Sequence, residues 1–117
     1  MSDRPLLVKS KAFALEIIRI CNEIKRSQKE SILTNQLVRS GTSIGANIRE
    51  AQYASSRADF IAKLQIALKE SNESEYWLEL MDKTQSLEHD KSERQIKECR
   101  RIRFMLISSI NTAKKNA

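Results

Sequence analysis

LTNQLVRSGTSIGANIREAQYA, Leu33 to Ala54, carries two different faces at helical spacing, and it sets the architecture of the whole chain. Leu33, Leu37, Ile44, Ile48 and Ala51 fall on one side and form an apolar stripe suited to a core. A second stripe of small and polar groups, Ser40, Ser43, Asn47, Glu50 and Ala54, repeats at three- and four-residue steps beside it. Both glycines of the chain, Gly41 and Gly45, also lie here, where glycine costs about 1 kcal/mol relative to alanine. A close-packed neighbour is expected to offset that cost.

The surrounding composition is that of long helices. The chain has 117 residues, enough for one domain, 1–117, that buries its apolar surface without disulfide or metal. Two glycines and one proline leave few places to turn. The longest apolar runs, such as Ala12 to Leu15, are too short to cross a membrane, and the start of the chain does not read as a signal peptide. A soluble, cytoplasmic protein with no membrane partner is expected. Cys21 and Cys99 lie on apolar stripes, so both are expected as buried free thiols. The net charge of +6 is uneven: residues 1–30 carry +3, 31–56 carry +1, 57–88 carry −3 and 89–117 carry +5. A polyanion should meet the two ends of the chain first, provided they lie together in space.

Ser2-Asp3-Arg4-Pro5 reads as a helix start, and a first helix is expected over about 5–27 with Leu6, Phe13, Ile17, Ile20 and Ile24 inward. The second is expected over 30–55, ending where a serine of Ser55-Ser56 caps the third ahead of Asp59. The third, 57–86, points Phe60, Leu64, Ala67, Ser71, Ser74, Leu78 and Met81 inward. Ile66, Glu73, Trp77 and Leu80 form a second line on its outer side, and a helix apolar on both sides is usually touched on both. The last helix, 91–114, turns Ile96, Cys99, Leu106 and Ile110 inward, with Arg94, Lys97 and Arg101 opposite. Arg103 projects nearer the core and calls for a partner, for which Glu75 is the candidate. The expected fold is all-α, an antiparallel up-down-up-down four-helix bundle with helices about 35–45 Å long.

With these residues laid out, the chain resembles, from about Leu7 to Ile110, a bacterial four-helix-bundle family encoded in intervening sequences of 23S ribosomal RNA genes. Ser43 to Ala51, SIGANIREA, is similar to that family's Ser-Ile-Pro-x-Asn-Ile-x-Glu-Gly, and Leu33-Thr34-x-Gln36-Leu37-x-Arg39 fits as well. Ile66, Ala67, Glu73, Glu75, Leu78 and Leu80 match its third helix, and Leu106-Ile107-x-Ser109-Ile110 its last. Gly45 stands where the family usually has proline, Ala51 where it has glycine, and Lys69-Glu70 where it often has Gly-Ser. Proline and glycine are both poor inside a helix, so a bend or close packing is expected at position 45. The resemblance implies a homo-oligomer, a pentameric ring. It also implies distant kinship with the accessory proteins of diversity-generating retroelements, basic barrels that bind nucleic acid and a reverse transcriptase.

Three function classes remain. The polar stripe reads as a hydrogen-bonded seam between helices or subunits in preference to a binding site, because small residues let backbones approach. Trp77 argues for a subunit interface, since tryptophan is enriched among residues that dominate protein contacts. The expected interface is Ser43, Asn47, Glu50, Ile66, Glu73, Trp77 and Leu80. Arg94, Lys97, Arg100, Arg101, Lys114 and Lys115 are the candidates for contact with RNA or DNA. The competing reading is a solvated face paired within itself, with Asp90 four residues before Arg94 and Glu93 four before Lys97. A ring would repeat a modest basic patch and raise its avidity. No recognition motif for RNA and no aromatic platform for single strands is read from the sequence. No nucleophile is paired with a base, so an enzyme is not expected, and neither a metal, another cofactor nor a small-molecule substrate is implied. The alternative to nucleic-acid binding is a structural or adaptor protein serving a protein partner.

Overall fold

In the computed structural model, which describes residues 4–116, four helices follow one another: α1, Arg4–Gln28; α2, Ile32–Ala51; α3, Arg57–Lys83; and α4, His89–Lys115. No strand occurs among the described residues. They form a four-helix bundle of 48 × 20 × 19 Å. Each helix packs on the next, and α4 returns to α1 through the slightest of the four seams. The expected cap at Ser2-Asp3 lies outside the described residues.

The inward lines hold in the main, with Leu33 and Phe60 only partly buried and Ile102 added to that of α4. Ile17, Leu37, Ile44, Ile48, Leu64, Leu78, Met81, Ile102 and Leu106 are wholly buried, each contributing about 1.5–3 kcal/mol relative to exposure. Ile102 takes a central place in α4, while Ile96 is only partly buried at the edge of the core. Both cysteines are free and buried. Burial pushes the Cys21 thiol up to about 11 and the Cys99 thiol up to about 12, so both stay protonated at neutral pH. Cys99 donates its thiol hydrogen to the Ser71 carbonyl across the α3–α4 seam, at 3.0 Å.

The neighbour demanded by the glycines is α1. A methyl group on Gly41 would stand 3.3 Å from Ile17 Cγ2, and one on Gly45 would stand 3.2 Å from Ser10 Oγ. Helix α2 runs unbroken through both positions. Close packing, rather than an interruption of the helix, is therefore what position 45 serves. The polar stripe faces the other way. Ser40 is fully buried and accepts a hydrogen bond from Ser74 of α3 at 2.8 Å, so this member of the stripe lies in the seam between α2 and α3.

Four helix boundaries differ from the expected ones by two residues or more, each for a local reason. Helix α2 begins at Ile32 because the Glu30 carboxylate is used as its cap, accepting from the amides of Leu33 and Thr34 at 2.7 and 3.1 Å. It ends at Ala51 rather than residue 55, since Gln52, Tyr53 and Ala54 each donate to the carbonyl three residues back and tighten the last turn. Ser56 then caps α3, accepting from the Asp59 amide, as its placement suggested. Helix α3 stops at Lys83 because Gln85 adopts φ of 63°, with Ser86 donating to Met81 and Gln85 to Asp82. That is a Schellman closure. Helix α4 correspondingly starts at His89, which was expected in a loop.

Candidate functional site

Two surfaces collect the residues singled out from the sequence. The first lies where α2 meets α3. Ser43 and Asn47 are half-buried, and their side chains donate to their own helix, to the carbonyls of Arg39 and Ser43. Glu50 is exposed and lies 3.5 Å from Lys63 Nζ. On α3, Ile66 is 42% exposed, whereas Leu80 and Trp77 are half-buried. Trp77 does not stand clear of the core as its out-of-phase position implied. It packs against the core's flank, tilts against the Tyr76 ring and donates its indole N–H to Glu73 at 3.4 Å. A large ring can reach around its own helix where a shorter side chain cannot.

Arg39 of α2 ties this region together, ion-paired to both Glu70 and Glu73 of α3. It was legible only as part of a motif, since nothing local in sequence relates it to residues thirty positions away.

The second surface is the outer side of α4. Arg94, Lys97, Arg101, Lys114 and Lys115 are all exposed. Of the pairs on which the competing reading rested, Asp90 with Arg94 and Glu93 with Lys97, neither forms: among the described residues Arg94 and Lys97 have no ion-pair partner, and Glu93 lies near His89 instead, at 3.9 Å. Arg101 pairs with Glu98. Arg100 turns toward α3, where its guanidinium reaches Glu75 at 2.8 Å. Arg103 meets the same carboxylate at 2.7 Å, the pairing its inward position called for. Burial would raise the Glu75 carboxyl, but hydrogen bonds from Arg100 and Arg103 and their charge overcome it and hold it below the usual carboxylate range.

The two ends of the chain do meet. Lys91 of α4 approaches Glu23 of α1 at 3.7 Å, and Lys9 of α1 lines one shallow groove with Lys97, Arg100, Arg101, Phe104 and Met105 of α4. Lys9 and Phe104 are the residues that sequence reasoning missed. Phe104 was detectable as an aromatic side chain out of phase with the Cys99, Leu106 and Ile110 line. Among the described residues no three His, Cys, Asp or Glu side chains gather so as to hold a metal ion. No described helix is long and apolar enough to cross a membrane.

The family described as 23S rRNA-intervening sequence protein matches residues 4–108. A crystal structure of a protein of unknown function from the S23 ribosomal protein family of Bacteroides thetaiotaomicron is similar at 48% identity. The likeness covers 90% of this chain and 97% of that one, with a TM-score of 0.88. No curated protein matches.

Proposed function

The chain belongs to the 23S rRNA-intervening sequence protein family, and from that premise we propose that it is a non-enzymatic, cytoplasmic, homo-oligomeric bundle that binds nucleic acid without reading its sequence. The observation that carries this reading is the convergence of Lys9 with Lys97 and Arg101 on one face, extended by Arg94, which has no ion-pair partner among the described residues. Phosphate contacts of this kind supply affinity but no sequence information. We read the four helices as antiparallel, up-down-up-down. Ser10 lies by Gly45 and Ile17 by Gly41, Arg39 reaches Glu73 while Glu50 reaches Lys63, and the connections are short.

The assembly proposed is a ring of identical subunits, a pentamer, joined through Ser43, Asn47 and Glu50 of α2 and Ile66, Glu73, Trp77 and Leu80 of α3. Exposed Ile66 and half-buried Trp77, about three turns apart on the same side of α3, support this surface, because tryptophan is enriched among the residues that dominate contacts between proteins. A ring would present the α4 face several times to one polyanion, and multivalency raises avidity without new contacts.

A second reading is an adaptor for a protein partner. It draws on Arg100 and Arg101, whose charges are already met by Glu75 and Glu98. Electrophoretic retardation of unrelated RNA and DNA over a salt series separates the two. Nucleic-acid binding predicts retardation that weakens steeply with salt, and loss of affinity across all sequences in Arg94→Ala/Arg101→Ala. No retardation at low salt leaves the adaptor.

A further inference from the structure

Phe104 is 76% exposed in the middle of the most basic helix, on the side away from the core. Arg94, Lys97, Arg101, Ser108, Asn111 and Lys115 recur on that side of α4 at three-, four- and seven-residue steps. The strip extends about 31 Å from Arg94 to Lys115. Phe104 shares one depression with Lys9, Lys97 and Arg101 and an adjoining one with Ile107, Asn111 and Lys115. Single exposed apolar side chains are ordinary, but this one is an aromatic ring set in a run of cations.

We propose that this strip is a single-stranded nucleic-acid track in which Phe104 stacks on a base while the cations on either side hold the phosphates. This rests on the nucleic-acid reading above and gives it a strand preference. In a duplex each base is covered by its neighbours, so a ring projecting from a straight helix meets only sugar and phosphate. An unpaired strand offers open base faces, and cationic tracks interleaved with aromatic side chains are the general device for holding one. A second copy is a poorer occupant. Phe104 and the partly exposed Ile107 make a small apolar centre, whereas the centre of a stable contact is depleted in charge. Two such faces would also bring cations onto cations.

The test compares binding of a labelled single-stranded oligonucleotide with that of the same strand annealed to its complement, in the full-length protein. Phe104→Leu, which keeps the apolar volume and removes the π-face, is expected to weaken single-strand binding roughly 5- to 100-fold. Duplex binding and the salt slope should stay unchanged, and Phe104→Trp should keep the affinity. Lys97→Ala should instead lower the slope of log affinity against log salt by about 1 on either substrate. If Phe104→Leu binds the single strand as the parent does while Arg94→Ala/Arg101→Ala loses binding, stacking is overturned and the charge reading stands. If the parent binds neither form at low salt, both fall. A lower particle mass in Phe104→Leu would assign the ring to a contact between copies and overturn the track.

Discussion

Glu75 shows what one side chain can hold together. Its carboxylate is 12% exposed, and it is kept ionised by Arg100 on one oxygen and Arg103 on the other. Arg103 also donates to Asn72 at 2.9 Å, so two residues of α3 three positions apart are held by one arginine of α4. Replacement of Glu75 by Gln should lower stability by about 1–2 kcal/mol at neutral pH, discounted because Arg100 remains largely in water. Because the folded carboxyl titrates below its unfolded value, its contribution is present above the ordinary carboxylate range and is lost as pH falls through the lowered value. Denaturant unfolding should therefore show the gap between parent and variant closing below about pH 4. A gap that persists undiminished in acid would refute the account. The Glu75–Arg103 pair was readable from the sequence because both residues fall on inward flanks. Arg100 was not, since its position points outward and only the length of a guanidinium lets it reach back.

Helix ends were decided by turn chemistry that periodicity does not express. The α3–α4 connection hinges on Gln85 in the left-handed region, a conformation that a side chain makes costly and glycine adopts freely. Gln85→Gly should raise stability by up to about 1 kcal/mol, the relief of strain being partly offset by the freer unfolded chain. Thermal or denaturant unfolding would detect it, and a destabilised variant would mean that the Gln85 side chain contributes contacts of its own. The same element fixes His89. Its ring is hydrogen-bonded to Asp82 at 3.0 Å, which holds its pKa above the usual value. The charge on His89 thus favours this closure below the ordinary histidine range, and the benefit fades as pH rises through the raised value. Four helices and their inward faces were legible throughout. Where α2 ended was not, because serine at 55 and 56 suits a cap while leaving open how many residues before it close the preceding turn.

At the scale of the molecule, the proposed ring is tested by the mass of the particle. Light scattering should give a mass several times 13.5 kDa. Ile66→Glu, at an exposed position whose loss leaves the core intact, should shift it toward one chain while helicity persists. Trp77→Ala should do the same at some additional cost in stability, because its ring also covers the core's flank. An unchanged mass in both variants would remove the proposed contact.

The sequence by itself determined that there are four helices, which line of each is buried, and that Gly41 and Gly45 demand a close neighbour. It did so because a period near 3.6 specifies a face, and because glycine inside a helix is unfavourable unless something fills the space. Only the tertiary structure decided that α1 is that neighbour, that one carboxylate serves two arginines, and that Lys9 joins the cations around an exposed Phe104. Those outcomes depend on how packed helices rotate against one another and on how far long side chains reach, and no spacing along one chain encodes either.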